Sequence, residues 1–180
     1  MGKPKALLRL RGRTFIENIL DAIGSAGITE TIVVLGHYRD QIERAVPPSA
    51  RTVFNPRYEQ GMITSLQTGI RALSPQTIGA LLFLVDHPIV DIETIELLLQ
   101  HAAPNRIVVP AFQGRRGHPV MFSWSVLQEI LALSPFQGAN IVVHKDPERI
   151  VQVPVKSPGI LVDVDTPEDF QNLLNAYEAR

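Results

Sequence analysis

Apolar residues along the chain fall into two alternating patterns, a helix-like spacing of three to four and short runs in which nearly every position is apolar. Thr14–Ala26 carries Phe15, Ile16, Ile19, Leu20 and Ile23 at helical spacing and predicts a helix. Thr31–Leu35 is a β-branched run closed by Gly36 and predicts a strand. Tyr38–Val46 reads as a helix stopped by Pro47 and Pro48, which cannot continue the hydrogen-bond ladder. A strand follows over Arg51–Phe54, then a helix over Met62–Leu73 ended by Ser74 and Pro75. Ala80–Val85 is apolar at every position, the pattern of a strand buried on both faces of a parallel sheet. Asp91 is a candidate N-cap for a helix over Ile92–His101. Beyond it the pattern predicts strands over Ile107–Pro110 and Pro119–Phe122, a helix over Val126–Leu133, and short strands over Ile150–Val155 and Ile160–Val162. A closing helix over Pro167–Ala179 has Pro167, Glu168 and Asp169 in its first turn, where proline and acidic residues suit the helix start.

Strands that alternate with helices imply right-handed crossovers and an α/β fold with a mostly parallel sheet. Less helix separates the strands after Pro110, so a mixed sheet is expected there. A chain of 180 residues suits one domain, taken as residues 1–180. In such sheets ligands bind at the carboxyl ends of the strands, so polar residues just after a buried strand are where chemistry is sought. The opening Gly2-Lys3-Pro4-Lys5 is loop-like, although a sheet of this kind usually opens with a buried strand and a Gly-rich turn. Either the sheet starts differently or the segment that normally leads it is absent.

Composition narrows the classes of function. Hydrophobic residues make up 45% and charged residues 19%, ordinary values for a globular protein. A net charge of -1 supplies no global positive field, and no apolar stretch is long enough to cross a bilayer, so neither nucleic acid nor a membrane is an expected partner. The chain has no cysteine, which removes disulfide and thiolate chemistry and is compatible with the cytoplasm, the expected location. No histidine or cysteine cluster suggests zinc, and there is no Gly-x-Ser-x-Gly elbow or complete P-loop.

Five segments hold candidate chemistry. In Leu84-Val85-Asp86-His87-Pro88, an aspartate at the end of a buried strand has hard oxygens suited to Mg²⁺, while a turn or cap role is the plainer alternative. Asp163 and Asp165 alternate along an extended stretch, share a face, and could complete a metal site with Asp86. The same stretch, Asp165-Thr166-Pro167-Glu168, also reads as a helix start, and one residue can cap while another binds metal. Lys3, Lys5, Arg9, Arg11 and Arg13 could cradle phosphates or simply be solvated. Asn55-Pro56 and Gly61-Met62-Ile63-Thr64-Ser65-Leu66 through Gly69 offer a helix N-terminus for an anion or ribose, or ordinary capping. Gly114-Arg115-Arg116-Gly117-His118-Pro119 allows close backbone approach and an anion-holding arginine, or is a turn with solvated charges. His87 and His118 are candidate acid–base groups, although a lone histidine is more often structural.

Taken in order, these segments resemble the molybdenum cofactor cytidylyltransferases, a branch of the nucleotidyltransferases similar to molybdopterin-guanine dinucleotide synthases. Met1-Gly2-Lys3-Pro4-Lys5-Ala6-Leu7-Leu8 matches the end of that family's opening signature, whose Gly-rich loop is followed by x-Pro-Lys. Asn55-Pro56, Gly61-Met62, Ser65-Leu66 and Gly69 match its middle motif, and Asp86-His87-Pro88 matches its Asp-x-Pro metal motif. Gly117-His118-Pro119-Val120 and Asp163-Val164-Asp165-Thr166-Pro167-Glu168-Asp169 match the last two. The resemblance covers essentially the whole chain, and the Ser65-Leu66 pair favours the cytidylyl over the guanylyl branch.

The resemblance implies a Rossmann-like three-layer nucleotidyltransferase fold with a mostly parallel mixed sheet, its leading strand absent or replaced. It implies that CTP, with GTP as the alternative, is attacked at its α-phosphate by the terminal phosphate of a molybdopterin, releasing pyrophosphate. Lys5 and Asp86 are the implied catalytic residues. Gly2, Lys5, Gly61, Ser65 and Leu66 would bind the nucleotide, and Arg116, Gly117 and His118 the acceptor. Asp86 with Asp165 or Asp163 would hold Mg²⁺, and a molybdoenzyme is an implied partner. The sequence departs from the family in lacking the leading strand and Gly-rich loop, for which a start codon assigned too late is the favoured expectation. Val85 replaces the usual glycine before the metal aspartate, and Phe136 stands where a Gly-Asp-x-Gly segment near Gly138 would carry its aspartate. Two further readings stay open: a non-catalytic molybdopterin-binding or chaperone module, and a nucleotidyltransferase for a sugar phosphate or isoprenoid precursor.

Overall fold

The computed structural model describes residues 4–177, so Gly2, Lys3 and the end of the expected closing helix at Ala179 lie outside the described residues. The chain opens with a 3₁₀ turn over Lys5–Leu7 and a hairpin of β1 (Arg9–Leu10) and β2 (Arg13–Thr14), with positive φ at Arg11 and Gly12 in its turn. Next come α1 (Phe15–Ser25), β3 (Ile32–Leu35), α2 (Arg39–Glu43), β4 (Arg51–Phe54) and α3 (Met62–Ala72). The centre holds β5 (Gly79–Leu82), α4 (Ile92–Gln100), β6 (Ile107–Phe112), β7 (Arg115–Arg116) and β8 (Val120–Ser123). The last part holds α5 (Trp124–Leu131), α6 (Asn140–Lys145), β9 (Ile150–Pro154) and α7 (Pro167–Tyr177).

The strands form a mixed sheet of five, in which β5 pairs with β8, β8 with β6, and β6 with both β7 and β9. The β6–β9 ladder is parallel and the others are antiparallel, so β5, β6 and β9 run one way and β7 and β8 the other. Strands β3 and β4 form a separate parallel pair, and no ladder joins β3 to β5 among the described residues. Helix α3 packs against both pieces. A Cβ on Gly69 would lie 3.0 Å from Val34 in β3, while Ile63 and Ile70 join Ile107, Phe122, Val126 and Ile130 in the main core.

Local chemistry accounts for most element ends. Thr14 accepts from the Glu17 amide and Glu17 reaches back to the Thr14 amide, a reciprocal cap that starts α1. Asp91 accepts from the Thr94 amide at 2.8 Å and starts α4, as expected.

Two expectations are corrected. The apolar run Ala80–Val85 does not make a strand buried on both faces: the strand is β5, Gly79–Leu82, and all four of its residues are half-buried. The reason is its position, bonded to β8 alone among the described residues. Ile160–Val162 is not a strand either. Pro158 pre-sets a helical φ and the Ser157 hydroxyl caps the Gly159 amide at 3.2 Å, so the chain turns as a 3₁₀ helix over Pro158–Leu161.

Candidate active site

A small core cluster brings distant segments to one place. Leu10 of the hairpin, Phe15 of α1, Val164 and Leu173 of α7 are all buried together, with Val85 and Ile89 packed against them. Burying one such side chain stabilises by about 1.5–3 kcal/mol, enough to hold the loops that carry them. Beyond β5 the chain turns at Leu84, whose carbonyl accepts from the His87 amide at 3.0 Å. The carbonyl of Asp86 then accepts from the Val164 amide at 2.9 Å. Val164 is fully buried. Alternate side chains of an extended segment point to opposite faces, so its neighbours Asp163 and Asp165 turn outward together.

Lys5 meets them there. Its Nζ lies 2.5 Å from Asp165 Oδ1 and 3.8 Å from Asp86 Oδ2. Partial burial disfavours the charge on Lys5, but the Asp165 hydrogen bond and the attraction of Asp86, Asp165 and Asp163 outweigh it and raise its pKa above the usual lysine value. Lys5 is therefore a fixed cation facing three carboxylates.

A carboxylate oxygen from each of Asp86 and Asp163 and a ring nitrogen of His87 all lie within 4.8 Å of one another. Ligands about 2.1–2.3 Å from one ion stand at most about 4.6 Å apart, so a small closing of the side chains seats a divalent cation. Nδ1 of His87, like that of His118, is shut off from solvent and has no hydrogen-bond partner. The residues present fit a divalent ion. The His118 ring stands 4.7 Å from that of His87. Burial, with the neighbouring His87, pushes the His118 pKa down to about 4 against the opposing pull of Asp86, so both rings can sit side by side without His118 carrying charge at neutral pH.

The alternative cap role is settled by geometry. Thr166 accepts from the Asp169 amide at 3.1 Å and Asp169 accepts from the Thr166 amide at 2.7 Å, so these two cap α7 and leave the Asp165 carboxylate to Lys5. Of the basic residues near the start, Arg9 bonds to the Gly12 carbonyl, Arg11 to the Tyr177 carbonyl and Arg13 to Asp21, and only Lys5 of the described ones is paired with the site. Gly61 opens α3 after a 3₁₀ turn over Tyr58–Gln60 that follows β4, and Ser65 lies in the first turn. The fully buried Asn55 donates to Thr64 and Ser65, both at 2.9 Å, and accepts from the Arg57 amide, tying the end of β4 to the helix start. Leu66 packs into the main core rather than facing outward. Arg116 is exposed on β7, and Phe136 is exposed beside the Gly61 end of α3. A Cβ on Gly117 would lie 2.2 Å from the Ile160 carbonyl oxygen, so only glycine lets that strand approach the turn that leads to Asp163.

The structure thus brings Lys5, Asp86, Asp163, Asp165 and His118 into one cluster and leaves Gly61, Ser65 and Arg116 on neighbouring elements. Sequence reasoning treated His87 only as an acid–base candidate. Its place next to Asp86 in the chain was the available signal for a metal-facing role.

Residues 1–150 match the MobA-like NTP transferase domain. The chain is 29% identical to nicotine blue oxidoreductase of Paenarthrobacter nicotinovorans, over 95% of this chain and 88% of that protein. It is 26% identical to the molybdenum cofactor cytidylyltransferase of Escherichia coli (strain K12), over 81% of this chain and 74% of that protein. The crystal structure of Rv0371c from Mycobacterium tuberculosis superposes with a TM-score of 0.87 and 28% identity, over 97% of this chain and 90% of that one. The manganese complex of the same protein gives a TM-score of 0.79 at 28% identity, over 97% and 93%. No helix among the described residues is long and apolar enough to cross a membrane.

Proposed function

The chain belongs to the MobA-like NTP transferase domain family, whose enzymes take a nucleoside triphosphate, and on that premise we propose that it transfers CMP from CTP to the terminal phosphate of a molybdopterin-type acceptor. An acceptor phosphate oxygen bonds to the α-phosphorus of CTP. The bond from that phosphorus to the oxygen bridging to the β-phosphate breaks, and pyrophosphate leaves with the electron pair. The attacking phosphate is already ionised, so the reaction needs positioning and charge stabilisation rather than a general base.

The observation that carries this reading is the convergence of Lys5 with Asp86, Asp163 and Asp165 at one rim of the fold. Lys5, held charged, would neutralise the phosphate oxygens as charge builds on the leaving group. Asp165 keeps that ammonium in the site, and Asp86 and Asp163 would hold a divalent cation. Once bound, the cation supplies further charge neutralisation on the triphosphate. Magnesium is the ion the sequence resemblance implies, and the manganese complex of the M. tuberculosis relative supports a divalent metal. Gly61 and Ser65 orient the nucleotide, and Arg116, Gly117 and His118 face the acceptor. The reading carries with it a cytoplasmic location and delivery of the product to a molybdoenzyme.

Calorimetric titration with CTP, and with GTP beside it, in the presence of Mg²⁺ or Mn²⁺ tests the proposal. Saturable CTP binding is expected, lost in Asp86→Ala with the melting temperature nearly unchanged. Failure of both nucleotides to bind, or binding that survives in Asp86→Ala, defeats it. A second reading, an oxidoreductase like the Paenarthrobacter relative, is favoured by that relative's higher identity and coverage. Release of pyrophosphate on mixing CTP with the acceptor separates the two.

A further inference from the structure

The site has more to offer a cation than carboxylates. Asp165, one of the two partners that sequence reasoning offered Asp86, is engaged by Lys5 at 2.5 Å. The group left free to surround an ion is Asp86, Asp163 and His87, with one ligand atom from each inside a 4.8 Å spread. His87 adds a second observation. Its Nδ1 is buried and unpartnered, as is that of His118, but of the two rings it is His87 that offers a nitrogen within the carboxylate spread. The ring is held in place from two sides. Its backbone amide is fixed by the Leu84 carbonyl, and the His118 ring packs against it with centroids 4.7 Å apart.

Resting on the nucleotidyltransferase reading, we infer that His87 is a direct nitrogen ligand of the divalent cation and makes the site prefer manganese over magnesium. Magnesium demands oxygen ligands in near-ideal octahedral geometry and keeps its waters. Imidazole suits the first-row transition ions, which accept mixed nitrogen and oxygen donors. Two carboxylates and a neutral imidazole together carry two negative charges, which balance a divalent ion. The His118 ring then acts as a positioning group that keeps the His87 ring turned toward the carboxylates.

The test uses the whole chain with Mn²⁺ and Mg²⁺ alone, without nucleotide or acceptor. Titrated calorimetrically, Mn²⁺ is expected to bind about tenfold or more tightly than Mg²⁺, and His87→Gln to shrink that ratio toward one while leaving Mg²⁺ binding nearly unchanged. Pulsed electron paramagnetic resonance of the bound Mn²⁺ is expected to show ¹⁴N coupling from one imidazole. That coupling should vanish in His87→Gln and persist in His118→Gln. The wild-type and His118→Gln spectra decide the matter even if His87→Gln fails to fold. Mn²⁺ that binds in an Asp86-dependent way without ¹⁴N coupling overturns the role of His87 and leaves the carboxylate site standing. Mn²⁺ binding unaffected by Asp86→Asn overturns both. Coupling lost in His118→Gln but kept in His87→Gln assigns the nitrogen to the wrong ring and also overturns the inference.

Discussion

The Arg149 guanidinium is buried, its side chain 7% exposed. It is paired with Glu129 of α5, donates to the Val142 carbonyl at 3.1 Å, and has Asp146 at 3.7 Å. The Arg149 hydrogen bond, helped by Lys145, holds the Glu129 carboxyl below the ordinary glutamate range. A carboxyl with a depressed pKa stabilises the fold fully above its unfolded pKa, and that stability is lost as the pH falls through the lower folded value. Glu129→Gln leaves the guanidinium with Asp146 as its remaining anionic partner. It should cost about 2 kcal/mol, read as a melting temperature lower by about 4–8 °C at pH 7. The difference between wild type and variant should begin to shrink below about pH 4.5, where glutamate in the unfolded chain protonates, and close as the pH falls through the lower folded value of Glu129. A gap that stays constant from pH 7 to pH 3 would show that the pair contributes nothing. Lys5 sits in the opposite balance, one cation among three carboxylates.

At the scale of elements, the site hangs on close backbone approaches between segments that are not neighbours in the chain. Gly117 lies against the Ile160 turn, where its missing side chain leaves room for the His118 amide to donate to the Ile160 carbonyl at 3.1 Å. That turn runs directly into Val162 and Asp163. In Gly117→Ala the added methyl meets backbone, not a flexible side chain, so the turn must shift. A loss of about 1–3 kcal/mol in stability is expected, together with weaker Mn²⁺ binding because Asp163 moves with the turn. Gly114 makes the contrast: a Cβ there meets no atom within 4 Å, and its φ of +79° alone sets the strain, so Gly114→Ala should cost about 1 kcal/mol and leave metal binding intact. Differential scanning calorimetry with a Mn²⁺ titration checks both variants. Equal metal affinity in the two would mean that the approach at Gly117 does not position Asp163.

At the scale of the molecule, the strands of the described residues stand in three groups, the β1–β2 hairpin, the β3–β4 pair and the sheet of five, and α3 packs on the last two. Among the described residues, strand β6 is bonded on both sides, by β8 and β9, whereas β5 is bonded only to β8 and β3 only to β4. Amides with a partner strand open only with larger units of the fold, while those on an unpaired edge are free to exchange. Native-state hydrogen exchange should show Val108 and Val109 among the slowest amides, and those amides of β3 and β5 that point away from β4 and β8 much faster. Slow exchange across all of β3 and β5 would mean that another segment covers those edges. The half-buried apolar side chains of Ile32, Val33 and Leu81 follow from the same open edges.

Much of this was legible in the chain. Helix starts at Thr14, Asp91 and Thr166, and the strands at Arg51–Phe54 and Ile107, follow from caps and runs whose partners lie within a few residues. Such signals survive whatever the rest of the chain does. Asp86, Lys5, Asp163 and His118 were likewise identifiable, because residue types suited to phosphate and metal stand just after predicted strands or in motifs with a known family resemblance. The sequence could not determine how those residues divide the work. Which of Asp163 and Asp165 gathers with Asp86 and His87 and which pairs with Lys5 depends on the Val164 amide meeting the Asp86 carbonyl, and on Lys5 claiming Asp165, contacts between distant segments of the chain. Nor could it foresee that β5 would be an edge, since an apolar run looks the same whether it is paired on one side or two. Local pattern specifies an element through short-range hydrogen bonds and periodicity. Burial and side-chain pairing depend on which elements meet, and only the packed fold decides that.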